Sequence, residues 1–284
     1  MQKFKDQSVA IYGRHSDDWM SALAPQSGVW DRVLENGAIA HVDDDETLSR
    51  FAEGRTHVVV IPLMEEHIRR APRNFACLAP STSCLDILAD KSLYHADIRK
   101  RGFSEFLPHL YGSVLQADFP CLLKRTDMNG GTGIALVRTP DEAFALQRSP
   151  PWDGHHILLE EFIPGSKEFV MHAVCQDGRL LWHHTFQYLM QDEDPIRRPS
   201  SKFKFRSVRI QPETLQAVTR IVASLGYSGP LNIDFKLHKS RTIIFEINPR
   251  LGGSLMRPDT QEILAQSLHH IISAARGARQ LAAT

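Results

Sequence analysis

The stretch Thr242–Ser254, TIIFEINPRLGGS, decides the reading of this chain. It opens as a buried strand, with Ile243, Ile244, Phe245 and Ile247 as apolar residues holding it in a sheet. Glu246 and Asn248 sit within it two places apart. Strand side chains alternate, so these two share a face. Pro249 ends the strand, and Arg250 follows before the pair Gly252-Gly253 and Ser254. Just upstream, LNIDFK places Asn232 and Asp234 on one face of a second strand. A hairpin turning near His238–Ser240 brings the four together. Two carboxylates and two amides are oxygen donors of the kind a hard cation takes, Mg²⁺ or Mn²⁺, and the absence of Cys and His disfavours zinc. The plainer alternative is a pair of edge-strand acids facing water.

Working outward, LLKRTDMNGGTGIAL is strand, glycine-rich turn, strand. Lys124 closes the first strand, and Asn129, Gly130, Gly131, Thr132 and Gly133 form the turn, whose bare amides can wrap phosphate oxygens. Many hairpins carry such turns, and this one lacks both the GKS/T of a P-loop and the GxGxxG of a dinucleotide fold. ILLEEFIPGSKEF ends a strand in Glu160 and Glu161, then offers Phe162, Ile163, a Pro-Gly turn and Glu168. An apolar slot with backbone groups to spare suits a flat base, and a carboxylate nearby can accept from ribose.

The segments ahead of residue 90 read as a small parallel αβ lobe. SVAIYG and THVVVIPL are buried strands, and SRFAEGR ends the helix between them. DKSLYHADIRKRG reads as a helix stopped by Gly102, DEAFALQRS as a second helix, and PETLQAVTRIVASLGY as an amphipathic helix ending at Gly226. A hairpin is expected at Asp177-Gly178. Residues 191–206 lack apolar periodicity and carry five basic side chains, so they read as a loop or a lid.

The chain has 284 residues, 42% of them apolar, which is enough for two or three lobes with cores. Lys and Arg number 33, as do Asp and Glu, so the formal charge is zero and no general nucleic-acid binder is expected. The four cysteines are widely spaced and read as buried small residues in a reducing compartment. The first residues show no signal-peptide pattern and no run is long enough to span a bilayer, so the expectation is cytoplasmic, with no membrane partner.

Taken in order, ADKSLY, LLKRTDMNGGTGIALV, LLEEFIPGSKEF, LNIDFK and FEINPRLGGS resemble the ATP-grasp ligases, a superfamily that includes D-alanine–D-alanine ligase, biotin carboxylase and carbamoyl phosphate synthetase. The resemblance covers about residues 90–260. It implies an ATP-grasp fold of two α+β lobes gripping ATP, behind a small parallel αβ (Rossmann-like) domain. The divisions expected are 1–89, 90–163 (with the glycine loop) and 164–284 (with the metal site). It implies that Lys91, Lys124 and the loop Asn129–Gly133 bind ATP phosphates. Glu160, Glu161, Phe162 and Ile163 would bracket adenine, mostly through backbone, and Glu168 would hold ribose. Asp234, Glu246 and Asn248 would bind two Mg²⁺ ions. Arg250, Lys124 and Asn232 would be catalytic.

The implied reaction is carboxylate plus ATP giving acyl phosphate and ADP, then attack by an amine. The substrates would be small acids and amines, with room for a homodimer. Asn232 stands where the D-alanine ligase group has arginine, and EINPR is nearer the carbamoyl phosphate synthetase and amino-acid ligase groups. A kinase or a nucleotide-binding module without turnover are the alternatives. The substrate candidates are Ser16 with His15, Lys204 and Arg206 (which precede a strand and share a face), and Gly252, Gly253 and Ser254. The histidine pairs, such as His183-His184, diverge on strand or helix and are set aside as metal ligands.

Overall fold

A computed structural model describes residues 1–128, 131–190, 196–198 and 200–282, with the side chains of 278–282 left aside. Asn129 and Gly130 of the glycine loop, and residues 191–195 and 199 of the basic segment, lie outside the described residues.

The first lobe holds strands β1 (Phe4–Lys5), β2 (Ser8–Tyr12), β3 (Leu34–Glu35), β4 (Ile39–Val42), β5 (Val58–Pro62) and β6 (Ala76–Cys77), with helices α1 (Asp17–Ala22), α2 (Asp45–Ala52) and α3 (Glu65–Arg70). Four strands form a parallel sheet in the order β4-β2-β5-β6. Parallel strands are covered on both faces, which is why VVVIP is apolar throughout. Val9, Ile11, Val59 and Ile61 face one core; Ala10, Tyr12, Val58 and Val60 face another. The first of these cores is completed by the last helix, α8 (Gln261–Ala282), through Leu264, Leu268, Ile271 and Ile272. The C-terminal helix therefore packs back on the N-terminal sheet.

Helices α4 (Thr82–Ala89) and α5 (Lys91–Lys100) follow, capped by Ser81 and Asp90. Next come β7 (Leu110–Tyr111), β8 (Cys121–Arg125), β9 (Ile134–Val137), α6 (Pro140–Gln147) and β10 (Ile157–Glu161). These strands make an antiparallel sheet ordered β7-β10-β8-β9, with its own core of Cys121, Leu123, Val137, Trp152 and Leu159.

The large sheet comprises β11 (Lys167–Gln176), β12 (Arg179–Met190), β13 (Phe203–Val208), β14 (Gly229–His238) and β15 (Arg241–Asn248), with α7 (Pro212–Leu225) between β13 and β14. It is antiparallel in the order β13-β12-β11-β14-β15. The expected hairpins turn where Asp177, Lys239 and Ser240 take positive φ. Helix α7 ends at Gly226, whose φ of 59° completes a left-handed cap. Its apolar stripe (Val218, Ile221, Val222) covers one face of the large sheet together with Tyr94 and Ile98 of α5. The opposite face looks across a cleft at the smaller sheet.

Candidate active site

The cleft is a cavity of about 550 Å³. On its floor, Asn232 pairs with Asn248 and Asp234 with Glu246 directly across β14 and β15. The register then shifts, so that Phe235 faces Ile244 and Phe245 is the extra residue of a bulge. The bulge keeps Ile244 and Ile247 together on the core side. It also turns Phe245 as well as Glu246 into the cavity. Simple alternation had assigned Phe245 to holding the strand in the sheet; instead its ring lies 5.3 Å from Lys124 Nζ, within cation–π reach.

Asp234 Oδ2 accepts from Asn232 Nδ2 at 3.1 Å and from Asn248 Nδ2 at 3.5 Å. Burial raises the Asp234 carboxyl to about 7; Arg197 opposes this, Glu168 and Glu246 add to it, and Arg250 opposes again. Arg197 donates from Nε to Glu168 Oε1 at 2.5 Å and from Nη2 to Asp234 Oδ1 at 2.8 Å. A cationic group thus already bridges two cleft carboxylates, so the donor set demands positive charge. Among the described residues no three His, Cys, Asp or Glu side chains group as a metal cluster. A divalent ion here would rest on Asp234, Glu246, the Asn248 amide and oxygens brought by a nucleotide, and that all-oxygen set fits Mg²⁺.

Across the cleft, Lys91 at the start of α5 donates to the Met128 carbonyl at 2.8 Å. Lys124 is ion-paired with Glu160, which His95 Nε2 also approaches at 3.5 Å. All three are deeply buried, at 7%, 1% and 3% exposure. Burial pushes the Glu160 carboxyl up, but Lys124 and His95 outweigh it and hold the group below its ordinary range. The Glu160 side chain is therefore engaged with lysine. Glu161 points elsewhere: its Oε2 accepts from the His109 amide at 3.1 Å, outside the cavity lining. Phe162, Ile163 and Glu168 line the cavity, as does Gly131 of the glycine loop, while Thr132 and Gly133 do not.

Lys204 and Arg206 do share a face, but it is the solvent face of edge strand β13, and Arg206 Nε donates to Gln187 Oε1 at 3.0 Å. The strand period that aligns them sends Phe203 inward instead. Besides Lys91, Lys124, Lys236 and Arg250, the basic residues that line the cavity are Arg197, Arg198 and Arg257. Arg198 donates to the carbonyls of Gly131 (3.3 Å) and Ile134 (3.0 Å), so residues 196–198 run along the glycine loop. Sequence periodicity carries no signal for these arginines, because they lie in irregular chain. Arg197 and Arg198 belong to the five basic side chains of the 191–206 segment; Arg257, Lys236 and His95 were missed, although Lys236 shows a signal: it continues the alternation of Asn232 and Asp234.

At the other end, Arg250 donates to Glu65 Oε1 at 3.1 Å and to the Leu251 carbonyl at 2.9 Å, tying the site to α3 of the first lobe. Gly253 and Ser254 line the cavity. Ser254 Oγ is 2.6 Å from His172 Nε2, and burial lowers His172 to about 3, keeping it neutral. Gly252 is packed shut: a Cβ there would lie 2.2 Å from Asn232 Oδ1. Ser16 is exposed and donates to Asp18 Oδ1 at 2.5 Å; of the two, Asp18 lines the cavity. His15 stacks on Trp19.

The floor carboxylates, the facing lysines and the glycine loop occupy the span in which the family model for the ATP-grasp domain matches, residues 89–254. The chain belongs to the ATP-grasp family. Among curated relatives of this ATP-grasp protein, the mitochondrial carbamoyl-phosphate synthase [ammonia] of Homo sapiens is 24% identical over 143 residues. That match covers 48% of this chain and only 9% of the relative's length. Among solved structures, D-alanine–D-alanine ligase from Bacillus anthracis, complexed with ATP, superposes with a TM-score of 0.65 at 13% identity over 99% of both chains. Phosphoribosylamine–glycine ligase from Thermotoga maritima reaches 0.70 at 15% identity, covering 95% of this chain and 75% of that one. These likenesses show the fold: an ATP-grasp arrangement of mixed α and β lobes. No described helix is long and apolar enough to cross a membrane.

Proposed function

We propose that this protein is an ATP-dependent carboxylate–amine ligase that works through an acyl phosphate and releases ADP and phosphate. The observation that carries the reading is one cavity with an oxygen-donor, cation-seeking floor (Asp234, Glu246, Asn248), two lysines opposite (Lys91, Lys124) and an arginine at its far end (Arg250). Bound Mg²⁺, two ions in this reading, would neutralise phosphate charge.

The chain's own residues do the rest. Lys91 and Lys124 bring positive charge to the phosphates, with Lys124 held in line by Glu160. The glycine loop covers the phosphoryl group and excludes water, which would otherwise hydrolyse an acyl phosphate. Phe162 and Ile163 seat the base, and Glu168 accepts from ribose once Arg197 moves off it. Arg250, oriented by Glu65, supports charge on the transferring phosphoryl group, and the Asn232 amide contributes a donor beside it. Gly253 and Ser254 border the acid and amine, which we take to be amino acids or a small acid. The divisions at residues 89/90 and 163/164 are proposed as the hinges between lobes, with α5 and α8 packing across them.

The test is release of ADP and inorganic phosphate from ATP and Mg²⁺ with pools of amino acids and small carboxylic acids, followed by phosphorus NMR. A ligase yields inorganic phosphate and an amide. A stable phosphoester in place of free phosphate would refute ligation and favour a kinase. ATP binding with no turnover on any acid would refute both.

A further inference from the structure

His172 sits on β11 directly across from Asn232 of β14 and is 1% exposed. Its Nε2 lies 2.6 Å from Ser254 Oγ, and Ser254 lines the cavity beside Gly253 and Arg250. Its Nδ1 is fully buried and has no hydrogen-bond partner among the described residues. Two features hold the pair together. Gly252 makes room for the ring, since a Cβ there would lie 2.5 Å from His172 Cε1. The buried Thr260 hydroxyl lies 3.0 Å from the Ser254 carbonyl and anchors the turn.

A serine beside a histidine can be a nucleophile, a proton relay or an oriented donor. The first two need the ring to take up a proton. Burial, His184 and Arg250 all oppose that and hold the ring down to about 3. No carboxylate stands behind Nδ1 to steady an imidazolium. The ring is therefore neutral and carries one proton. On Nδ1 that proton would belong to a buried N–H with no acceptor, a rarer defect than an under-satisfied acceptor. On Nε2 it meets Ser254 Oγ. The Tyr188 hydroxyl is the second partner of Ser254. A hydroxyl oxygen has two lone pairs for two donors and still has its own proton to give.

Building on the ligase reading of this cavity, we propose that Ser254, held by His172, is the hydrogen-bond donor to the oxyanion that forms when the amine attacks the acyl phosphate. In that step the amine nitrogen bonds to the carbonyl carbon, and the carbonyl oxygen takes up the displaced electron pair. On collapse the carbon–oxygen bond to phosphate breaks, and the departing phosphate carries off the amine's proton as hydrogen phosphate. The charge on the carbonyl oxygen exists only between those two events. A donor already in place there stabilises the transition state more than the ground state. No such charge builds up in the earlier step, in which the carboxylate attacks phosphorus. Ser254 thus serves amide formation and not acyl-phosphate formation. His172 touches no substrate and is a positioning residue.

The experiment uses the full chain with ATP, Mg²⁺, a pool of amino acids as the acids and hydroxylamine as the amine. Rapid quench follows ADP in the first turnover, and the iron(III) colour of the hydroxamate follows amide formation. Ser254→Ala should keep the native rate of first-turnover ADP while hydroxamate formation falls about 100-fold. Ser254→Thr, which keeps the hydroxyl, restores most of that loss. His172→Met lowers hydroxamate formation about tenfold, and His172→Gln, which keeps a neutral donor, recovers it. Ser254 lines the cavity, so its variants read the donor role even where a His172 variant fails to fold. An unchanged hydroxamate rate in Ser254→Ala would overturn the inference, and so would an equal loss of ADP and hydroxamate. An acyl group found on Ser254 by mass spectrometry of the quenched protein would replace the donor with a nucleophile. A native chain that forms neither ADP nor hydroxamate with any acid would overturn the ligase reading, and this inference with it.

Discussion

Lys124 serves two purposes that one substitution confounds and two separate. Its ammonium is ion-paired with Glu160 in the interior, where Glu160 is 1% exposed and His95 is its other ionisable partner. Lys124→Met leaves a buried carboxylate with only a histidine 3.5 Å away. Removing one member of a buried pair costs on the order of 3–5 kcal/mol, mostly from the charge left behind. Glu160→Gln strands the ammonium instead and is expected to cost a similar amount. The double variant removes both charges. It should regain about 2–3 kcal/mol relative to the sum of the singles, a coupling that contacting charged residues show and distant ones do not.

Nucleotide affinity breaks the symmetry. Lys124→Met and the double variant both lose ATP binding, because the phosphate-facing charge is gone in each. Urea unfolding of the four proteins without nucleotide gives the coupling, and the shift of melting temperature by ATP and Mg²⁺ gives the binding. Strict additivity, or single variants costing under about 1 kcal/mol, would refute the claim that this pair is a buried, mutually compensating unit. Full ATP response in the double variant would refute the phosphate role of Lys124.

Asp234 sets a pH dependence. Its folded pKa of about 7 stands above the ordinary 3.8, so between those values the folded chain holds a proton that the unfolded chain lacks. This contribution is fully present below the unfolded value and is lost as pH rises through 7, by at most about 4 kcal/mol (3.2 units at 1.36 kcal/mol each). Asp234→Asn should remove that slope in urea unfolding at pH 5–8 with chelator present; an unchanged slope would rule the assignment out. Arg197→Ala removes the guanidinium that competes for Asp234 and Glu168, so Mn²⁺ binding without nucleotide, followed by paramagnetic resonance, should tighten about tenfold, and equal affinity would sink the competition. Gly252→Ala must push aside Asn232 and His172 and should cost about 1–3 kcal/mol, whereas Gly253→Ala, whose nearest neighbour is 3.6 Å away, should be nearly neutral in thermal melts; a reversed order would contradict the packing described.

Much of this protein was legible in its sequence because the relevant rules are local. Two-residue alternation put Glu246 with Asn248 and Asn232 with Asp234, and one tight turn was enough to bring the four together. Gly226 and Asp177-Gly178 ended their elements because few other residues tolerate a positive φ. Alternation did not tell where the Glu161 carboxylate goes, because a strand's last residue can turn to either side, and here the His109 amide claims it. For Lys204 and Arg206, alternation says that they share a face and not which face is wet.

The sequence by itself determined the element order, the alternation of polar residues on the cleft strands and the family, since each depends on spacing along one strand, helix or turn. Only the tertiary structure decided that Phe245 turns into the cleft, that Arg197 bridges Glu168 and Asp234, that Lys124 is paired with Glu160, and that Arg250 is held by Glu65 from another lobe. Each of these joins residues between 29 and 185 positions apart, or depends on a bulge that shifts the strand period. Such contacts are set by how the sheets and lobes pack against one another, and no local period in the chain encodes that.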